Sequence, residues 1–399
     1  MLETSKDFGQ DFDHMTPAFS HNMATVTAAL RQSCPIAHSD KYGGFWILSC
    51  YNDVLEVLRD AKMFSSQKGT AIPEQEREIP SLPVESDPPD HTHYRSLLNS
   101  WLAARRITTY EDSIRQFVTE HINDFIEQGT CDLVESLATR LPISITPIIM
   151  GIEAKDWPIY IQYIKQIMLT EEESHTEENS KIRQSFLHYM LKEIERRRIK
   201  PRNDFLTTLV TAQSEGKILS GKEIVSMMLA MLAAGLEPTK NALGNLLLTL
   251  CEYPSLRQFL LADPAAIPLF VEECLRYNAP LQYVARTPHQ CTAIHGQAID
   301  ADEKLFLLLG SANHDEGQFH AADQFLPDRQ QNRHLAFGQG IHFCVGASLA
   351  RLEMRIVTEE ILRRLPDFQL CAPVQREFSV GQVYGPPTLP VVFTPGQVE

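Results

Sequence analysis

The sequence has no long hydrophobic run. Its longest, Met227 to Leu236, is 10 residues, whereas a membrane-spanning helix needs about 20. Nor is there an excess of basic residues: 36 Lys and Arg stand against 51 Asp and Glu, a formal net charge of -15. That balance argues against sequence-independent nucleic-acid binding, which needs a cationic face. The eight cysteines (Cys34, Cys50, Cys131, Cys251, Cys274, Cys291, Cys344 and Cys371) never fall in Cys-x-x-Cys spacing. In so long a chain they do not form a disulfide framework, and most read as small buried hydrophobes in a reducing compartment. Residues Leu2 to Asp7 are polar and acidic, without the charged and apolar regions of a secretory signal. These absences predict a soluble, cytoplasmic protein acting on a small molecule, with no membrane and no nucleic-acid partner.

What is present is mostly helix. No repeat and no low-complexity linker divides the chain, so 1–399 reads as a single body. Tyr42 to Cys50 suggests a strand opened by glycines, followed by a short helix from Asn52. From about Thr92 to Tyr277 the apolar spacing is overwhelmingly helical. Ser220 followed by Glu223 forms a capping-box pattern that opens a helix of about thirty residues. Ala293 to Leu309 reads as a hairpin turning at Gly296, and Leu389 to Phe393 as a last strand. The acidic run Glu171 to Glu178 reads as a solvated loop. The expected fold class is mainly α (α+β), a helix-rich body with small sheets at its margin.

Inside the long helix sits AAGLEPTKN, Ala233 to Asn241. A glycine there is about 1 kcal/mol worse than alanine and a proline about 3. Gly235 and Pro238 therefore need a reason beyond helix stability, and Glu237 lies between them.

The densest signal is HLAFGQGIHFCVGASLARLEMR, His334 to Arg355. Gly338, Gly340 and Gly346 allow tight turns and close approach to a large flat ligand, and helical periodicity begins at Ala347. Cys344 thus stands just before a helix N-terminus, where the helix dipole and backbone NH groups favour a thiolate, the metal-binding form. Structural zinc would need a second ligand pair, which His342 and Cys344 lack. A nucleophilic cysteine needs a histidine partner, which a count of 14 histidines leaves open, as it does an inert buried cysteine.

Phe337, Gly338, Gly340, His342, Cys344 and Gly346 match the pattern F-G-x-G-x-H-x-C-x-G, and the chain resembles the cytochrome P450 family over nearly its whole length. The resemblance implies the P450 fold and haem b bound through Cys344 as the axial thiolate of its iron. Such a thiolate favours O–O cleavage. E-x-x-R occurs at Glu56/Arg59, Glu74/Arg77, Glu193/Arg196, Glu195/Arg198, Glu273/Arg276 and Glu360/Arg363, and most of these read as solvated i,i+3 pairs. Glu273/Arg276, placed before Pro280, resembles the family's K-helix motif, with Arg329 expected to join it in a buried structural network. His91 and Arg95 share one helix face and, with Arg286 and His334, match family contacts to the haem propionates. Charge-assisted hydrogen bonds are the physical role implied.

Ala234, Gly235, Leu236 and Glu237 match the oxygen-activating stretch A-G-x-(D/E)-T, in which the glycine is expected to leave room for dioxygen. Pro238 occupies the place of the usual proton-delivering threonine, and Thr239 follows one residue late. A helix turns about 100° per residue, so Thr239 is expected to point elsewhere, leaving Glu237, ordered waters or a substrate hydroxyl to carry protons. Pro238 should also reinforce a kink. The family reading implies a monooxygenase acting on a small organic substrate, expected to be a secondary metabolite, with O2 and with ferredoxin and ferredoxin reductase as separate electron donors. Arg105, Arg106, Arg351 and Arg355 are candidates to meet an acidic donor. Expected pocket walls are the loop before His91, Leu236 to Thr239, Leu281 to Val284 and Val383 to Leu389, mostly apolar as small-molecule sites are. Oxidative coupling or desaturation without oxygen retention is the alternative outcome. Peroxide-driven oxidation and non-catalytic haem binding are weaker ones.

Overall fold

The computed structural model describes residues 11–74, 80–167, 176–214, 217–378 and 381–399. After an N-terminal helix α1 (Pro17–Ser33), the helices that matter here are α2 (Tyr51–Arg59), α3 (Asp90–Trp101), α4 (Glu111–Asn123) and α5 (Arg140–Met150). Then follow α6 (Glu177–Ile199), α7 (Gly221–Glu252), α8 (Ile267–Tyr277) and α9 (Ala347–Arg364).

The 32-residue helix α7 is the axis of the molecule. Its start is fixed by the expected capping box: the Glu223 NH donates to Ser220 Oγ at 3.2 Å and the Ser220 NH donates to Glu223 Oε2 at 2.7 Å. Apolar residues bury on every side of it, among them Ile224, Met227, Met228, Leu232, Leu236, Leu243, Leu246 and Leu250. A helix that is apolar all round belongs in a core, and α7 packs against α5, α8 and α9. It runs on through Gly235 and Pro238 in one helical span, close to the thirty or so residues expected. Burial of the flanking leucines and methionines at about 1.5–3 kcal/mol each exceeds the propensity loss of those two residues.

Five strands form the main marginal sheet: β1 (Ile36–Ser39), β2 (Phe45–Leu48), β3 (Phe64–Ser65), β4 (Tyr283–Pro288) and, after the hairpin of β5 (Thr292–Ile294) and β6 (Gln297–Ile299), β7 (Lys304–Leu308). Their order is β1-β2-β7-β4-β3. β2 and β7 run parallel, with Phe45 opposite Lys304, and the other pairs are antiparallel. The hairpin turns at His295 and Gly296, both with positive φ (50° and 79°), as a two-residue turn of the right twist requires. β8 (Pro390–Val392) pairs with Thr130–Asp132 and Gln369–Leu370 at the far margin.

Two expectations shift. Strand β2 starts only at Phe45, because Gly43 and Gly44 adopt positive φ (88° and 94°) and turn the chain. Of the acidic run, Glu171 to His175 lie outside the described residues. Glu177 and Glu178 form the first turn of α6, capped by Thr176 Oγ1, which accepts from the Asn179 NH at 3.2 Å. Acidic side chains there complement the positive helix end.

One buried ionic cluster braces the approach to Cys344. Glu273 and Arg276 on α8 are fully buried and joined bidentately, with both N···O distances at 2.8 Å. Arg329 Nε sits 3.0 Å from the same carboxylate, which also accepts from the Leu326 NH and Asn332 Nδ2. Arg276 further donates to the carbonyls of Asn313, Ala322 and Gln324. With the Glu273 carboxylate and the Arg276 guanidinium satisfied in this way, the cluster fixes the course of residues 313–332.

Candidate active site around Cys344

The loop carrying Cys344 is shaped by glycines. Gly338 and Gly340 take positive φ (65° and 71°), and a Cβ on Gly340 would overlap the Leu58 carbonyl and lie 3.2 Å from Arg59 Cα at the end of α2. Conformation and space both demand glycine there. The Cys344 NH donates to the Phe337 carbonyl at 2.8 Å, closing the loop, and Gly346 caps α9. Burial pushes the Cys344 thiol up, while the backbone amides of Gly346 and Ala347 and the cations Arg95 and Arg351 oppose it. A coordinating metal ion removes that thiol proton outright.

Beside this loop four nitrogen-bearing side chains converge. His91 and Arg95 come from α3, Arg286 from β4 and His342 from the loop itself. The His91 and His342 rings meet edge to face at 4.3 Å. Arg95 donates to the Phe343 carbonyl and to Asn99 Oδ1. Arg286 is buried and donates to the Ala285 carbonyl at 2.7 Å. Burial lowers Arg286 to about 10. Burial, then Arg286, His91 and Arg95, push His342 down to about 2. Ser66 Oγ lies 3.1 Å from His342 Nε2, and His91 Nε2 is buried without a hydrogen-bond partner. Among the described residues none of the four forms an ion pair with a carboxylate. A buried guanidinium without an ion-pair partner is costly, so Arg286 and the donors around it suit an anionic ligand. The two propionates of haem b, with its iron at Cys344, fit that donor set.

His334 lies elsewhere. Its Nε2 meets Glu272 Oε2 at 3.2 Å and its Nδ1 accepts from the Ala336 NH at 3.3 Å. Both ring nitrogens are thus taken, which removes His334 from the expected propionate contacts. Glu272 is also gripped by Arg351 at 2.6 and 2.8 Å. Burial pulls the Glu272 carboxyl up, but hydrogen bonds from Arg351 and His334 outweigh it and hold it at about 2. The histidine the sequence reading missed for this role is His342, although it stands inside the matched motif. Phe337 packs under the Arg351 guanidinium, 4.6 Å from its ring centroid.

At mid-helix, α7 exposes Ala233 and Ala234. The missing side chain of Gly235 instead points toward Thr146 of α5, whose Oγ1 would lie 3.5 Å from a Cβ. The space beside Gly235 is thus bounded by α5. Glu237 and Thr239 are buried. The Glu237 carboxylate has Lys240 Nζ at 3.0 Å and Asn241 Nδ2 at 3.4 Å, partners that spacing alone had not singled out. The loop before His91 is pinned to α7 by Ser226, whose hydroxyl donates to the Pro80 carbonyl at 2.5 Å and accepts from the Leu82 NH at 2.9 Å. Tyr94 OH donates to Glu223 at 2.7 Å, tying α3 to the same helix.

The proposed donor patch is largely neutralised. Arg351 pairs with Glu272, and Arg355 with Glu111 and Glu359. Arg106 stacks on Trp101 at 3.3 Å, while Arg105 stays exposed. Among the described residues no cluster of three or more His, Cys, Asp or Glu is arranged to hold a metal ion. No described helix is long and apolar enough to cross a membrane.

Comparison with known proteins agrees with this geometry. The family described as Cytochrome P450 matches residues 144–263 and 267–383. A steroid C26-monooxygenase of Mycolicibacterium smegmatis is 35% identical over 361 residues, covering 88% of each chain. The polyketide biosynthesis cytochrome P450 PksS of Bacillus subtilis is 32% identical, covering 88% of this chain and 90% of its own. The solved structure of CYP109Q5 from Chondromyces apiculatus superposes with a TM-score of 0.88 at 29% identity, covering 98% of this chain and 100% of its own.

Proposed function

This chain belongs to the cytochrome P450 family, and from that premise we propose that it inserts oxygen into a small, largely apolar organic substrate of steroid or polyketide type. Electrons come from a separate ferredoxin and its reductase. The observation that carries the reading is the convergence of buried His91 and Arg286 with half-buried Arg95 and His342 beside the Cys344 loop, none of them ion-paired to a carboxylate among the described residues.

When bound at Cys344, haem supplies activation of dioxygen by thiolate push. The remaining work falls to the chain. Arg95, Arg286, His91 and His342 hold the propionates by charge-assisted hydrogen bonds. Ala233 and Ala234 keep the α7 face low enough for substrate and dioxygen. The apolar walls exclude water, which strengthens every electrostatic contact inside. Glu237 takes the part of the usual threonine, receiving protons at its carboxylate and passing them inward.

Aerobic turnover of a steroid and polyketide panel under 18O2, with added ferredoxin, reductase and reduced nicotinamide, tests the reaction. Product gaining one labelled oxygen atom is the expected result. Product oxidised without label would favour coupling or desaturation, which the proline at 238 makes the relevant second reading. Within the same assay, Glu237→Gln should slow turnover and raise peroxide release, and Thr239→Ala should change both less. Equal, wild-type-like coupling in the two variants would remove Glu237 from the relay.

A further inference from the structure

We propose that Lys240 and Asn241 are positioning residues for Glu237, and that Asn241 links this acid to the pocket wall through its contact with Gly385; this rests on the relay reading of Glu237. On α7 the three side chains stand at i, i+3 and i+4 and share one face. Lys240 Nζ donates to Oε1 at 3.0 Å, and Asn241 Nδ2 reaches Oε2 at 3.4 Å while donating to the Glu237 carbonyl at 2.9 Å. The Glu237 and Lys240 side chains are only 9% and 16% exposed. A charge pair so far out of water holds its geometry, because separation leaves an uncompensated charge.

The amide of Asn241 is seated from the other side. A Cβ on Gly385 would overlap Asn241 Oδ1 and lie 2.9 Å from Asn241 Cβ. Gly385 belongs to a short strand, Tyr384–Gly385, whose conformation suits any residue. Space for the Asn241 amide is therefore what demands glycine.

The strand leads directly to the expected pocket walls. Val383 bridges Leu281, the Gln282 NH donates to the Gln382 carbonyl and the Tyr384 NH to the Pro280 carbonyl. Asn245, one turn beyond Asn241, donates to the Tyr384 carbonyl at 3.0 Å. A substrate that displaces Leu281 or Val383 moves Gly385 against Asn241, and Asn241 alters the hold on Glu237. Substrate occupancy and the proton-passing acid are thereby coupled through direct contacts.

The test uses the holoenzyme and whichever compound of the steroid and polyketide panel gives the largest spin-state shift. Infrared difference spectra with and without that compound should show a carboxyl band that Glu237→Gln lacks. Asn241→Ala, Lys240→Met and Gly385→Ala should each shift or abolish that band and raise peroxide released per nicotinamide oxidised by about threefold or more. In Asn241→Ala the binding constant read from the spin shift should stay within about twofold, which separates positioning from lost substrate contact. Lys240→Met, which keeps most of the side chain's length and volume, keeps the test open if another variant misfolds. Wild-type bands and coupling in all three, while Glu237→Gln loses both, would overturn the proposal. Wild-type coupling in Glu237→Gln itself would overturn the relay reading, and this proposal with it.

Discussion

A buried arginine without an ion-paired carboxylate is an unusual residue, and Arg286, beside His342 and His91, is one among the described residues. Its neighbours are also donors, so each of them raises the field that an anion would feel. His342 and His334 separate ligand binding from scaffold support at the level of single side chains. His342→Ala removes one donor from the anion cluster. At about 1.5–3 kcal/mol for a hydrogen bond to a charged group, haem should leave it roughly 10–100 times faster in a transfer assay to apomyoglobin. His334→Ala breaks the Glu272 pair instead, and should lower the thermal midpoint while leaving the haem transfer rate close to wild type. The reverse ranking would return His334 to the propionates.

At the scale of elements, α7 and α8 do different work: α7 carries the proposed relay acid Glu237, and α8 pins the chain that leads to Cys344. The buried Glu273 carboxylate satisfies Arg276 and Arg329 at once. Breaking a buried pair by removing one charge costs about 3–5 kcal/mol, so Glu273→Gln should lower unfolding free energy by that order in urea titration. A change within experimental error would contradict the bracing role. Elements were the most legible level of the sequence. Ser220 and Glu223 marked the start of α7, Gly296 the hairpin and Gly346 the approach to α9, because capping and positive-φ turns are local chemistry written in adjacent residues. What was not legible depends on distant chain. The Gly235 contact with Thr146, the His334 pair with Glu272 and the seat of Asn241 on Gly385 join segments far apart in sequence. A motif match placed His334 and Gly235 by pattern, and tertiary packing gave them other neighbours.

For the whole molecule, one group sets a stability trend with pH that runs opposite to the usual carboxylate. Burial pushes Glu353, on α9, up to about 8. Its folded-state value lies above the unfolded one of about 4.3, so the folded chain keeps a proton that the unfolded chain has released. Stability from this group is therefore greatest below about pH 4 and falls as pH rises toward 8. Glu353→Gln should flatten that fall, gaining stability over the parent at pH 8 and little at pH 5, measured as unfolding free energy across the range. Equal pH slopes in the two proteins would contradict the burial of this carboxyl as a charged group's penalty.

The whole-molecule claim is that this P450 holds its haem iron through Cys344. The most direct measurement is the carbon-monoxide difference spectrum of the reduced holoenzyme, for the parent and for Cys344→His. The parent should give the red-shifted Soret band of thiolate ligation, and Cys344→His should lose that band while still binding haem through the His91, Arg95, Arg286 and His342 cluster. A parent spectrum of the histidine-ligated type, or a Cys344→His variant that retains the red shift, would contradict the account.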